Sequence, residues 1–143
     1  MKIWIFEDNA IQLQLAKEKI DEVCGINCSV MASRELKWPP DFLTKALTES
    51  QDFPDLVILD LFLGENHTNP VGINIYDQLR LTEISVLGSY KVTFIVWSIS
   101  YIADEYAEKY LKEKAEKDQQ LILMEVKSAA MLKKILEDWL SQE

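Results

Sequence analysis

Short apolar runs alternate along the chain with stretches in which apolar residues recur every three or four positions. The runs predict β-strands, and the helically spaced stretches predict α-helices. The predicted strands are Lys2–Phe6, Cys28–Ala32, Leu56–Leu59, Lys91–Trp97 and Leu121–Val126. Leu56–Leu59 lacks the alternation of a half-exposed strand, which is typical of a parallel sheet covered by helices on both faces. Because strand and helix alternate five times, we expect an α/β fold, a (βα)5 three-layer sandwich with a parallel sheet.

Polar residues that can cap helices support this division of the chain. Asn9 can cap the helix after the first strand, Gly25 can end it, and Ser128 can cap the last helix. Three further helices are predicted. One carries Phe42 to Leu47, the next carries Ile73 to Arg80, and the third begins at about Tyr101.

Composition and charge narrow the class of protein. The 143 residues, 48% hydrophobic and 27% charged, suit one globular domain spanning 1–143 rather than a disordered or fibrous chain. A net charge of −9 would be repelled by a phosphate backbone, so we expect no direct binding to nucleic acid. No apolar run is long enough to span a bilayer, and the start of the chain does not read as a signal peptide. We therefore expect a cytoplasmic protein that does not contact membranes.

The chain has two cysteines and one histidine. In a cytosolic protein, Cys24 and Cys28 are expected to be buried, reduced thiols. His67 lies in a polar loop, and with the cysteine pair it supplies too few ligands for a typical zinc site.

Reactive side chains follow four of the five predicted strands. Glu7 and Asp8 follow the first strand, Asp60 the third, Ser98 the fourth and Lys127 the fifth. The carboxyl ends of parallel strands lie at one edge of a sheet, so we expect these side chains to meet there. Two carboxylates about 4 Å apart repel each other by about 4 kcal/mol. The sequence therefore predicts positive charge among the acids, from Lys127 and from Mg²⁺, which prefers carboxylates, waters and a phosphate oxygen.

A carboxylate beside Mg²⁺ and a lysine is suited to attack phosphorus, because the cations neutralise the incoming charge. Asp60 is the predicted nucleophile and would become an acyl phosphate. Glu7 and Asp8 would hold the metal, directly or through water. Lys127 would pair with carboxylate or phosphoryl oxygens, and the Ser98 hydroxyl would donate to a phosphoryl oxygen.

This arrangement resembles response-regulator receiver domains, which carry an acidic pair, an Asp, a Ser or Thr, and a Lys after strands one, three, four and five. The resemblance covers essentially the whole chain and implies a stand-alone receiver with a flavodoxin-like fold and strand order 2-1-3-4-5. It implies Mg²⁺-dependent phosphotransfer to Asp60 from a histidine kinase or phosphotransfer protein, with the backbone carbonyl of Phe62 as a further metal ligand. A downstream protein would then bind the face made by the fourth helix, fifth strand and fifth helix. The resemblance leaves open whether the protein forms a homodimer.

Among the departures from the receiver pattern, those at three positions keep an alternative open. Ile99 stands where the family usually has a small residue, Met124 where an aromatic switch residue is usual, and Ser128 where proline is usual. The alternative is a receiver-like interaction module that works without phosphorylation. A flavin or nucleotide binder is disfavoured, because acids rather than a glycine-rich loop follow the first strand. A paired-aspartate phosphatase is disfavoured because Phe62 stands at the position of its second acid.

Overall fold

Five parallel strands form one sheet in the computed structural model, which describes residues 1–32, 53–61, 71–98, 105–124 and 126–142. The strands are β1 (Lys2–Phe6), β2 (Ser29–Ala32), β3 (Leu56–Leu59), β4 (Thr93–Val96) and β5 (Leu121–Leu123). Their order across the sheet is β2-β1-β3-β4-β5, and all neighbouring pairs are parallel. The predicted α/β fold class and the strand order 2-1-3-4-5 are confirmed, and the architecture is consistent with a flavodoxin-like fold.

Four α-helices lie in the described ranges. They are α1 (Ala10–Cys24), α2 (Val71–Leu87), α3 (Glu105–Lys117) and α4 (Ala129–Ser141). The predicted helix at Phe42 to Leu47 and the predicted helix start at Tyr101 lie outside the described residues, so α3 and α4 correspond to the predicted fourth and fifth helices. Among the helices described, none has the length and apolar character needed to cross a membrane.

The predicted helix caps are confirmed. The Asn9 side chain accepts hydrogen bonds from the backbone N–H groups of Ile11 and Gln12, both at 3.0 Å. Gly25 ends α1 with a positive φ of 57°, a conformation that glycine adopts without strain. Ser128 accepts a hydrogen bond from the Met131 N–H at 3.3 Å, which satisfies one of the free donors at the start of α4.

The sheet separates two apolar clusters, one on each face. On one face, α2 and α3 pack against Val57 and Leu59 of β3. On the other face, α1 and α4 pack against Leu56 and Ile58 of the same strand. All four β3 residues are buried, which explains why this strand reads as an unbroken apolar run. Helices therefore cover the sheet on both sides, giving the three layers expected.

A buried ionic cluster, here called the base cluster, lies at the amino ends of β4 and β5 and consists of Arg80, Glu83 and Asp118. Arg80 Nε lies 3.0 Å from Asp118 Oδ2, and Arg80 Nη1 lies 2.8 Å from Glu83 Oε1. The other Glu83 oxygen accepts the backbone N–H groups of Lys91 and Val92, at 2.6 and 2.8 Å. These bonds replace sheet bonds at the start of the predicted strand Lys91–Trp97, so β4 begins only at Thr93.

Cys24 and Cys28 form a disulfide, so the prediction of buried, reduced thiols is wrong. Both residues are half-buried. The 3₁₀ turn Gly25–Asn27 follows α1 and brings the two Cα atoms to 5.7 Å, within the range that a disulfide spans. His67, the other residue considered for a metal site, lies outside the described residues.

Candidate functional site at the carboxyl ends of the strands

The strand register brings three of the predicted site segments to one level at the carboxyl edge of the sheet, here called the rim. Phe6 of β1 pairs with Leu59 of β3, and Leu59 pairs with Val96 of β4. The chain therefore leaves the sheet at the same height at Glu7 and Asp60, with Ser98 two residues beyond Val96. Backbone bonds continue this alignment, because the Asp60 N–H donates to the Phe6 carbonyl at 2.9 Å.

Lys127 lies between the acids of two neighbouring strands. Its ammonium forms an ion pair with the Glu7 carboxylate and lies 3.5 Å from Asp60 Oδ2. The side chains of Lys127, Glu7 and Asp60 are 5%, 2% and 13% exposed, so water screens these charges only weakly. Residues from three distant parts of the sequence thus form one ionic cluster, the rim cluster, with two carboxylates and one ammonium.

Burial raises the pKa of the Glu7 carboxyl above its ordinary value, and the Asp60 carboxylate adds to this shift. The hydrogen bonds that Glu7 accepts from Lys127 and from the Asn9 backbone N–H, the latter at 3.0 Å, oppose the shift. Glu7 is therefore a buried acid whose charge depends on the ammonium beside it. Removal or displacement of Lys127 would make proton uptake by Glu7 easier.

Two polar groups at the end of β4 are buried without hydrogen-bond partners among the described residues. The Ser98 side chain is 1% exposed, and its Oγ atom has no partner there. The indole Nε1 of Trp97 is likewise unpartnered in this part of the chain. Buried polar groups are usually satisfied, because an unmade hydrogen bond costs about 1 to 3 kcal/mol. Ser98 thus supplies a hydroxyl at the rim that is able to bind a further group.

Trp97 also contacts Lys127. The Lys127 ammonium lies 4.9 Å from the centre of the Trp97 ring, within the range of a cation–π interaction. Trp97, the last residue of the predicted fourth strand, is completely buried. Its contact with the ammonium was not predicted, because strand periodicity reports burial and carries no information about cross-strand partners.

Gly72 fixes the peptide that follows β3. Its N–H donates to the Leu61 carbonyl at 2.9 Å, and a Cβ atom at this position would lie 2.6 Å from the Asp60 backbone oxygen and 2.7 Å from Leu61 Cα. Only glycine allows the start of α2 to approach so closely. Gly72 therefore positions Asp60 through the backbone. A glycine directly before the predicted helical positions Ile73 to Arg80 is the sequence signal that could have revealed this contact.

The predicted metal ligands are only partly brought together. Glu7 and Asp60 share Lys127, whereas Asp8 is exposed beside them and Phe62 lies outside the described residues. Within the described ranges, no group of three or more His, Cys, Asp or Glu side chains is arranged to hold a metal ion.

The departures from the receiver pattern have separate local roles. Met124 is buried in the same apolar cluster as Trp97, where it fills core volume. Ser128 begins α4 as its N-cap, and its backbone N–H donates to the Val126 carbonyl at 3.0 Å, a bond that proline could not make. Ile99 lies outside the described residues.

No model of a known protein family matches this sequence. No curated protein matches it either. The likeness to receiver domains therefore rests on the residues at the strand ends and on the fold, and the assignment stays a prediction.

Proposed function

We propose that this chain is a phosphoacceptor of the receiver type, which takes a phosphoryl group onto Asp60 and signals by binding another protein. The donor is a histidine kinase or a phosphotransfer protein. An Asp60 carboxylate oxygen attacks the phosphorus of a phosphohistidine, the P–N bond breaks, and its electron pair returns to the imidazole nitrogen. The product is an acyl phosphate on Asp60, formed without any change of oxidation state.

The observation that carries the proposal is the contact of Lys127 with Asp60 across the rim. Lys127 and Asp60 are 67 positions apart in the chain, and the ammonium nevertheless lies 3.5 Å from the carboxylate. An ammonium at this distance can neutralise charge on an incoming phosphoryl group. The buried, unpartnered Ser98 hydroxyl adds a donor for a phosphoryl oxygen.

Mg²⁺ fits the oxygen donors of this rim as a hydrated ion. Asp60 and the exposed Asp8 are the carboxylates with access to solvent, and Mg²⁺ usually takes one or two carboxylates and keeps several waters. When bound, the ion neutralises phosphoryl charge as a Lewis acid. Glu7, which is paired with Lys127, would act through water or after the ammonium has moved.

Acetyl phosphate labelling tests the proposal. The purified chain, incubated with Mg²⁺ and acetyl phosphate, should gain one phosphoryl group, and intact-mass spectrometry measures it. Asp60→Asn should abolish labelling. Asp55→Asn is a matched control, because Asp55 lies at the opposite end of β3 and pairs with Lys91 at 3.7 Å. Failure of the wild type to be labelled, or equal labelling of Asp60→Asn, would overturn the proposal.

The proposed surface for a partner is the face that receivers use for output. In this chain it comprises α3, β5 and α4, which follow one another in the sequence. The proposal is that phosphorylation of Asp60 shifts the population of this face towards a form that binds a downstream protein.

A second candidate is a receiver-like module that binds its partner without phosphorylation. The observation that favours it is the pairing of Glu7 with Lys127, together with the lack, in the described residues, of a three-ligand metal group. Titration with Mg²⁺ and beryllofluoride separates the two candidates. The second predicts no change in tryptophan fluorescence at millimolar Mg²⁺, and the first predicts a saturable change that Asp60→Asn removes.

A further inference from the structure

Among the described residues at the rim, Lys127 contacts two carboxylates and one uncharged aromatic ring. The ammonium contacts the carboxylates of Glu7 and Asp60 and lies over the face of Trp97 at 4.9 Å from the ring centre. Tryptophan is the aromatic side chain whose face attracts cations most strongly, and the attraction grows where water is excluded. Trp97 is completely buried, so the contact lies in such an environment.

A divalent cation at the rim would disturb the present arrangement. Of the two described acids that Lys127 contacts, Glu7 is the closer one, and it is also a candidate metal ligand. A metal ion that bound the Glu7 carboxylate oxygens would compete with the Lys127 ammonium for them, and the two cations would repel each other. If only carboxylates held the ammonium, metal binding would therefore tend to displace it.

We propose that Trp97 is a positioning residue whose indole face keeps the Lys127 ammonium beside Asp60 when a divalent cation engages the carboxylates. This inference rests on the proposed function. The indole face attracts a cation but has no oxygen atom that a metal ion could bind. The metal ion and the ammonium therefore do not compete for the indole face. Trp97 thereby lets the same rim hold both positive charges.

Trp139 provides a matched control within the same apolar cluster. It is buried, like Trp97, and its indole Nε1 also lacks a partner among the described residues. No cation–π contact to Trp139 occurs in this part of the chain, in contrast to Trp97. Trp139→Leu therefore removes a large buried ring but leaves the ring over Lys127 in place.

The first test reads the position of the ammonium directly. In protein labelled with ¹³C-lysine, the ε-methylene signal of Lys127, assigned with Lys127→Arg, should be shifted upfield by the Trp97 ring current. The shift should vanish in Trp97→Leu, persist in reduced form in Trp97→Phe and stay unchanged in Trp139→Leu. Addition of Mg²⁺ to the wild type should leave the Lys127 signal upfield. Its return to the position of an ordinary lysine on addition of Mg²⁺ would overturn the proposal.

The second test measures the initial rate of acetyl phosphate labelling at saturating Mg²⁺. Trp97→Leu should lower the rate about tenfold, the factor that about 1.4 kcal/mol of lost cation–π attraction corresponds to. Trp97→Phe should recover most of the rate, because it restores an aromatic face, and Trp139→Leu should match the wild type. No labelling of the wild type would overturn the proposed function itself. Normal wild-type labelling with an unchanged rate in Trp97→Leu would overturn only the role of Trp97.

Discussion

Two buried cations lie at opposite edges of the same sheet, and each contacts two carboxylates. At the base, Arg80 binds Glu83 and Asp118. At the rim, Lys127 binds Glu7 and Asp60. Each cluster carries one net negative charge, so charge balance alone does not distinguish a structural role from a functional one.

The two clusters differ in how completely their hydrogen bonds are satisfied. At the base, Asp118 accepts hydrogen bonds from two nitrogens of Arg80 and from the Tyr76 hydroxyl. Both carboxylate oxygens of Glu83 also accept hydrogen bonds. The Arg80 guanidinium also lies over the ring of Tyr90, at 4.3 Å from its centre. A bidentate guanidinium held in this way has little freedom to move.

The rim is less complete. Lys127 offers a single ammonium to two acids, and the nearby Ser98 hydroxyl has no partner among the described residues. Asp60 keeps 13% of its side-chain surface exposed. A saturated ionic network fixes the fold, whereas a network with an unmade bond retains a donor for a further group. This difference favours a structural role for the base cluster and supports the proposed binding role of the rim cluster.

The largest effect is expected from Arg80→Met at the base. It should lower the free energy of unfolding by about 3 to 5 kcal/mol, because two buried carboxylates lose their common partner. Urea denaturation measures this. The control is Lys91→Met, which removes an exposed ion pair to Asp55 at 3.7 Å and should cost under about 1 kcal/mol. Equal losses in the two variants would contradict the structural role of the base.

Lys127→Met should have a smaller effect, about 1 to 3 kcal/mol near neutral pH, because Glu7 can take up a proton once its partner is gone. Burial raises the pKa of Glu7, so its contribution to stability is present below its ordinary pKa and is lost as the pH rises through the folded value. The loss in Lys127→Met should therefore grow as the pH rises above the ordinary pKa of a glutamate. Addition of Glu7→Gln should remove this pH dependence, and a pH-independent loss would contradict the argument.

A comparison of two glycines tests whether the rim depends on backbone packing. Gly72→Ala should cost about 1 to 3 kcal/mol, because the added methyl group meets the Asp60 backbone at 2.6 Å. It should also slow labelling of Asp60. Gly88→Ala is the control, since Gly88 has a φ of 78° with open space around it, and its strain of about 1 kcal/mol should leave the labelling rate unchanged. Normal labelling of Gly72→Ala would show that this contact does not position Asp60.

The smallest effect concerns tyrosine ionisation near the base. Burial, with hydrogen bonding to Asp118 and Asp77 respectively, raises the pKa values of Tyr76 and Tyr110 above the ordinary tyrosine value. Their contribution to stability is present below about pH 10 and is lost as the pH rises through the folded values. At about pH 11, Tyr76 and Tyr110 should therefore still be un-ionised. Tyr76→Phe and Tyr110→Phe should each leave the tyrosinate absorbance at this pH unchanged, and a drop in either variant would contradict the argument.

The hydrophobic pattern was enough to predict the sheet. The unbroken run Leu56–Leu59 indicated a strand covered on both faces, and the capping residues Asn9 and Ser128 marked helix starts that the structure confirms. These features depend on neighbours in sequence, which periodicity and local hydrogen bonding report directly. The meeting of Glu7, Asp60 and Lys127 also followed, because parallel strands place their carboxyl ends at one edge.

Features that depend on contacts between distant segments were not predicted. Glu83 removes Lys91 and Val92 from the β4 ladder, and no local signal distinguishes it from other helical acids. The Cys24–Cys28 disulfide was missed because two cysteines four positions apart are compatible with either redox state. The indole face over Lys127 and the close approach of Gly72 likewise require the packed structure.

The tight packing at Gly72 would leave a trace in the sequences of related chains. Selection for a residue without a side chain is independent of selection for a carboxylate, because the first concerns volume and the second concerns charge. Some related chains would keep both the acid at the end of the third strand and the glycine in the first turn of the next helix. Those chains would have kept the geometry of the rim itself. Chains that retain the acid and vary the glycine would have kept the charge in a rearranged setting.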